Sequence, residues 1–284
     1  MTIHWIITMG SVAFGAVIGS FLNVCVYRIP KGESLVYPGS HCPDCGARIR
    51  WFDNVPVLSF LLLRGRCRDC GGRISFRYPL LEALSAALCF ALVARYGLTW
   101  SAGIYFAFSC ALVVVTFIDL DHQIIPNRIT YPGIPLGVAA SFVLPEMSLR
   151  QPLLEVLSII FRVQAFLHAL PANLVNSVLG ILLGGGVLLG VALLFEWVRK
   201  KEGMGFGDVK LLAMVGAFLG VDAVLVSILI SSAVGSVVGY LALRLSGKGT
   251  EQPIPYGPFL ALGAIIYLLW GKELVNWYLG TGGQ

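Results

Sequence analysis

What most limits the fold of this chain is the recurrence of apolar runs about as long as a bilayer is thick. Residues 5–27, 79–94, 100–118, 173–195, 223–243 and 257–271 are each almost unbroken apolar sequence. A transmembrane helix needs about 20 such residues, with a range of about 17–25. Two weaker runs are 131–145, interrupted by Pro132, Pro135 and Pro145, and 209–220. Only 12% of the 284 residues are charged, roughly half the fraction of a soluble domain, which excludes an ordinary water-soluble globule. The 57% hydrophobic content excludes a disordered chain. The expected fold class is therefore all-α and integral to a membrane, a polytopic bundle of about eight transmembrane helices. The first run is expected to be a span and not a signal peptide. Nothing basic precedes it, its apolar stretch is too long, and no small-residue cleavage pattern follows.

Orientation follows from Lys and Arg placement. Arg28 and Lys31 follow the first run, which puts the N-terminus outside and the 29–78 loop inside. Continuing the alternation, 16 of the 20 Lys and Arg fall on the inner side, with Arg95, Arg150, Arg162 and Lys272 outside. That asymmetry accounts for the net charge of +5 and calls for no nucleic-acid partner. Small residues recur at GxxxG spacing in Gly15/Gly19, Gly180/Gly184, Gly186/Gly190, Gly216/Gly220 and Gly235/Gly239. Such pairs let helix backbones approach closely, either within one chain or between two copies. In 147–172, Gln151, Glu155, Ser158 and Arg162 recur at helical spacing against an apolar face. This reads as an amphipathic helix on the outer interface, with a poorly hydrophobic extra span as the alternative. The organisation expected is a first transmembrane helix over 1–28, a cytosolic loop over 29–78 and a membrane bundle over 79–284, with 147–172 as an outer-face insertion.

The inward loop carries Cys42-Pro-Asp-Cys45-Gly and Cys67-Arg-Asp-Cys70-Gly. A CxxC turn points two thiolates at one centre, and a second pair completes a tetrahedral four-cysteine zinc site. The Gly after each pair suits a tight turn. Disulfides are the alternative, disfavoured on a reducing cytosolic side. With all four positions filled by protein, the Zn2+ would be structural. Cys25, Cys89 and Cys110 lie in apolar runs and read as packing residues.

Ionisable residues at span ends in so apolar a chain are functional candidates. Asp119 closes the third run in Phe117-Ile118-Asp119-Leu120-Asp121-His122, and Asp208 follows alternate glycines in Gly203-Met-Gly205-Phe-Gly207-Asp208-Val-Lys210. Those glycines are expected to keep the chain open and let a substrate backbone approach Asp208. Two carboxyls brought together can share one proton, one acting as base toward water and the other as acid. The helix-end dipole assigns Asp208, if it opens a helix, as initial base, and Asp119, at a helix C-terminus, as proton carrier. Either Asp could instead be a solvated helix cap. Asp121, two residues on, faces roughly the other way on a helix and reads as a cap. His122 reads as exposed, Lys210 as reaching into the interface, and Glu82 as a partner for a loop arginine. Glu196 belongs to an interfacial anchor with Trp197, and Asp222 turns a short outer hairpin.

These blocks, taken in order, resemble the bacterial type IV prepilin leader peptidases, integral-membrane aspartic proteases of the GxGD kind. Besides the segments already quoted, the resemblance rests on Gly19-Ser-Phe-Leu-Asn23-Val, Phe76-Arg77-Tyr78-Pro79-Leu80-Leu81-Glu82, Ile125-Pro126-Asn127 and Pro255-Tyr256-Gly257-Pro258-Phe259-Leu260. It covers most of the chain except roughly 140–175. The resemblance implies removal of the short basic leader of type IV prepilins and type II secretion pseudopilins, after a glycine and at the cytosolic face of the bacterial inner membrane. It implies for many members a second activity, methylation of the new N-terminus with S-adenosylmethionine, for which no fingerprint is legible in the residues themselves. It selects Asp119 over Asp121, makes Asp208 the second catalytic aspartate, and lays the family's cysteine quartet on Cys42, Cys45, Cys67 and Cys70. The insertion departs from the pattern and could dock a pilus or secretion component. Two other readings are open: a secondary transporter in which the Asp pair carries protons or cations, and a noncatalytic zinc-loop scaffold.

Overall fold

The computed structural model describes residues 2–144, 171–199, 205–246 and 255–278. The amphipathic insertion expected over 147–172 lies almost wholly outside the described residues, as do Gly203 and Met204. Among the described residues the chain is helical and has no strand. The helices are α1 (Thr2–Arg28), α2 (Leu58–Leu62), α3 (Arg77–Tyr96), α4 (Trp100–His122), α5 (Asn127–Ala140), α6 (Ala172–Arg199), α7 (Phe206–Leu219), α8 (Val221–Ser246) and α9 (Gly257–Tyr278).

Among the described residues, five segments are long and apolar enough to cross a bilayer: Trp5–Arg28, Arg77–Tyr96, Trp100–His122, Ala172–Val198 and Val221–Leu241. Gly257–Gly271 is a shorter apolar helix. The two weaker runs become 14-residue helices, α5 and α7. At 1.5 Å per residue each is about 21 Å long, short of a hydrocarbon core of about 30 Å. Among the described residues, helix covers most of each of the eight runs, and five of them are both long and apolar enough for a span. Pro132 and Pro135 lie inside α5 and do not end it. Each proline removes one backbone hydrogen bond, but Gly133 and Gly137 bring α5 tightly against Met214, Ala217 and Phe218 of α7.

The chain divides into two compact units, Met1–Val114 and Val115–Gln284, with the boundary inside α4. In the first, α1 packs on α3 through one of the small-residue pairs. A Cβ on Gly15 would lie 2.7 Å from Ala86 Cα, and one on Gly19 would lie 2.6 Å from Glu82 Cα. Asn23 Nδ2 donates to the Tyr78 carbonyl at 3.2 Å. Arg28 is buried and donates to the carbonyls of Ser34 and Pro38 at 2.8 and 2.6 Å, which ties down the start of the loop. Cys25, Cys89 and Cys110 are buried and free, as packing residues would be.

In the second unit α7 is the central element, touching α5, α6, α8 and α9. Its apolar residues face every direction, and Leu211, Leu212, Met214, Val215 and Ala217 are all 0–1% exposed, which is the mark of a helix enclosed on all sides. Gly180 and Gly216 meet backbone to backbone, and Gly184 meets the Leu212 carbonyl, so α6 and α7 lie close enough for Ser177 Oγ to donate to the Ala217 carbonyl at 2.7 Å. By contrast, Gly186 and Gly190 have nothing within 4 Å of a built Cβ. Asn176 Oδ1 accepts the Val221 N–H at 3.1 Å and so caps α8.

Candidate active site and metal centre

Asp119 sits in the last turn of α4 and is 5% exposed, and Asp208 sits in the first turn of α7 and is 9% exposed. The two carboxyls are close enough to act on each other electrostatically, and both belong to the second unit. Asp119 Oδ2 accepts the backbone N–H of Gly257 at 3.1 Å. Gly257 is the first residue of α9, so its N–H has no acceptor within its own helix. Asp121 is exposed, so of the two neighbouring aspartates α4 turns only Asp119 inward. His122 is exposed, as its sequence position suggested.

Two expectations change. The helix-end argument that gave the carboxyls different roles no longer separates them, because each now meets a helix N-terminus: Asp208 on α7 and Asp119 against α9. Of the alternate glycines that are described, Gly205 keeps open space, with nothing nearer its built Cβ than 3.9 Å, whereas Gly207 does not. It lies inside the first turn of α7, and the three atoms nearest its built Cβ, at 2.9–3.3 Å, all belong to Ile125. Lys210 Nζ donates to Asn127 Oδ1, at the exposed start of α5, and lies 5.1 Å from the centre of the Tyr131 ring.

Glu82, in the first unit, is expected to pair with a loop arginine, but no such pair is found among the described residues. Its Oε2 accepts the Val57 N–H at 2.7 Å. Val57 has a φ of 61°, unfavourable for a β-branched residue, and the carboxylate holds the turn there. Gly257 and Ile125 were both quoted in motifs yet carried no role. A backbone donor and an aliphatic side chain leave no chemical signature in a sequence.

The four cysteines of the loop converge, their Sγ atoms all within 4.8 Å of one another and Cys42 and Cys70 at 3.9 Å. Two copies of one turn build the cluster. Cys42 N–H donates to the Ala47 carbonyl and Gly46 N–H to the Cys42 carbonyl; Cys67 N–H donates to the Gly72 carbonyl and Gly71 N–H to the Cys67 carbonyl. An isolated antiparallel bridge closes each turn, His41 with Arg48 and Arg66 with Arg73. Gly46 and Gly71 take φ values of 72° and 70°, the left-handed region that glycine enters without steric cost.

Two cross-ties run from the second turn to the segment that follows the first. Arg68 makes a forked pair with Asp53, at 2.8 Å from Nε and 2.6 Å from Nη2, and Arg50 lies 3.6 Å from Asp69. The guanidinium beside Asp53 holds its carboxyl below the usual range. Backbone N–H groups of Cys70 and Asp69 draw the Cys67 thiol down to about 7. Cys70, although the Gly72 N–H favours its anion, is pushed up to about 12 by the neighbouring Cys45, Cys67 and Cys42 thiols. Four thiols this close do not all ionise without a cation among them. The donor set fits a tetrahedral metal, since Zn–S bonds of about 2.3 Å place sulfurs about 3.8 Å apart. All four cysteines are free of disulfides, and the cluster could hold a metal ion.

The profile of the Bacterial Peptidase A24 N-terminal domain matches residues 13–96, and that of the Type IV leader peptidase family matches residues 106–240. A prepilin leader peptidase/N-methyltransferase of Pseudomonas aeruginosa is 35% identical over 96% of this chain and 93% of its own. Proteins of the same name from Xanthomonas campestris pv. campestris and Aeromonas hydrophila are 36% and 34% identical, over 95% and 94% of this chain and 93% and 91% of theirs. No solved structure matches.

Proposed function

The chain belongs to the type IV leader peptidase family, and on that premise we propose that it is a membrane aspartic endopeptidase, with Asp119 and Asp208 as its catalytic pair. The observation that carries this reading is that two buried carboxyls from distant parts of the chain, one in the last turn of α4 and one in the first turn of α7, lie within electrostatic reach of each other, the first held by a backbone N–H. Such a pair hydrolyses a peptide with one proton between them. The ionised carboxyl takes a proton from water as the water oxygen bonds to the scissile carbonyl carbon. The protonated carboxyl supplies the proton that leaves with the amine when the C–N bond breaks.

The substrates are type IV prepilins or pseudopilins, whose N-terminal leader is removed. The exposed amine then receives a methyl group from S-adenosylmethionine and loses a proton. The relatives' names support both steps. The transporter alternative gains no support from them.

Cys42, Cys45, Cys67 and Cys70 would hold Zn2+ as a structural cross-link of the two turns, with no open position for catalysis. Eight crossing segments, the N-terminus outside, and the cysteine loop and both aspartates toward the cytosolic side of the inner membrane follow from the Lys and Arg asymmetry. In that arrangement the short α7 ends inside the hydrocarbon layer, where enclosure by neighbouring helices keeps its backbone ends from lipid. The organisation into 1–28, 29–78 and 79–284, with 147–172 facing outward as a possible dock for pilus or secretion components, belongs to the same reading.

The test is the intact mass of a prepilin incubated with the purified full-length chain and S-adenosylmethionine. Loss of the leader plus gain of one methyl group is expected. Loss of the leader alone overturns the methyltransferase half, and an unchanged mass with folded protein overturns the whole reading.

A further inference from the structure

We propose that Ile125 is a positioning residue for the peptidase reaction, a spacer that sets how far apart Asp119 and Asp208 are held; the inference rests on the function proposed above. After His122 the chain reverses. Gln123 takes a φ of 54°, and its N–H closes on the Asp119 carbonyl at 2.9 Å. That turn brings Ile125 back alongside the helix end that carries Asp119, and the following Pro126 restricts its backbone to extended conformations.

From there one side chain touches the backbone on which each carboxyl depends. A Cβ on Gly207, which immediately precedes Asp208, would lie 2.9 Å from Ile125 Cβ, 3.2 Å from Cγ1 and 3.3 Å from Cδ1. A Cβ on Gly257, whose N–H holds Asp119, would lie 3.1 Å from Ile125 Cδ1. Both glycines are therefore filled against by the same isoleucine, which stands between the starts of α7 and α9. A β-branched side chain is stiff at χ1 and suits a spacer better than an unbranched one. Ile125 is also only half-buried, unlike Ile118 at 0% exposure on α4, so filling the core is the lesser part of its role. A misplacement of about 1 Å between reacting groups can cost about 100-fold in rate.

The test compares I125A, I125V, G207A and the double variant G207A/I125G, each purified as the full chain. The readout is kcat and KM for cleavage of a peptide spanning a prepilin leader junction. I125A should lower kcat by about 10- to 100-fold and leave KM within about twofold. I125V, which keeps the branched Cβ, should remain within about threefold of the unaltered protein. G207A should be at least as impaired as I125A, because its methyl collides with Ile125. The double variant, which moves bulk from one side of the contact to the other, should recover about tenfold over G207A, a non-additivity expected only of residues in contact.

A kcat for I125A within twofold of the unaltered protein, or a loss confined to KM, overturns the proposal. Should I125A fail to fold, the proposal falls if G207A and G207A/I125G are equally active. D119N and D208N run in the same assay separate the two readings. If they still cleave, it is the peptidase assignment that fails, whatever Ile125 does.

Discussion

Cys42, Cys45, Cys67 and Cys70 reach one another through two copies of the same short turn, whereas Asp119 and Asp208 come into range only because α4, α7 and α9 pack as they do. Each cysteine turn is closed by its own backbone hydrogen bonds and a left-handed glycine, so most of the cluster's geometry is local. The cross-ties Arg68–Asp53 and Arg50–Asp69 align two parts that are already formed. Nothing local brings the aspartates together. Their separation depends on the exit turn at Gln123, on Ile125 and on a donor from a third helix. A centre built from local turns should respond chiefly to loss of its ligands, and one built by packing should respond to a single misplaced methyl.

The largest effect expected from this contrast is on the aspartates themselves. D119N and D208N should each lower leader cleavage by about 1,000-fold or more, within or above the range for loss of a positioned acid or base. Metal content should stay at one zinc per chain, measured by elemental analysis beside the cleavage assay. Loss of zinc along with activity would show that the two centres are not independent.

A smaller but sharper effect is expected from G257A. Its new Cβ would fall 2.7 Å from Asp119 Oδ2 and 3.1 Å from Ile125 Cδ1, so the carboxyl must move. We expect cleavage to fall by about 10- to 100-fold with the protein still folded, as judged by its thermal midpoint in detergent. Full activity would mean that the Gly257 N–H does not place Asp119. The smallest effect on cleavage should come from C42S/C67S, which removes one ligand from each turn. Zinc should be lost and the 29–78 loop should become sensitive to protease, while cleavage stays within about tenfold of the unaltered protein. A loss as deep as that of D119N would join the two regions that the contrast separates.

The sequence by itself determined the helical membrane class, because apolar runs of bilayer length and a low charge content leave a chain few other ways to satisfy its backbone. It also determined the cysteine centre, down to the glycine after each pair, since that geometry lies within a few bonded residues. It pointed to both aspartates through their rarity in so apolar a chain, and the reading of Asp121 as the outward neighbour follows from helix periodicity alone.

What the sequence could not supply were the relations between distant segments. Only the tertiary structure placed the Gly257 N–H on Asp119, put Ile125 against Gly207 in a space that looked open, drew Lys210 to Asn127, and gave Glu82 the Val57 N–H where an arginine was expected. It also carried α5 through two prolines and limited α5 and α7 to 14 residues each. Each of these depends on close packing between segments far apart in the chain. Close packing is a property of the folded whole, because van der Waals contact and backbone hydrogen bonding act over a few ångströms whatever the distance along the sequence.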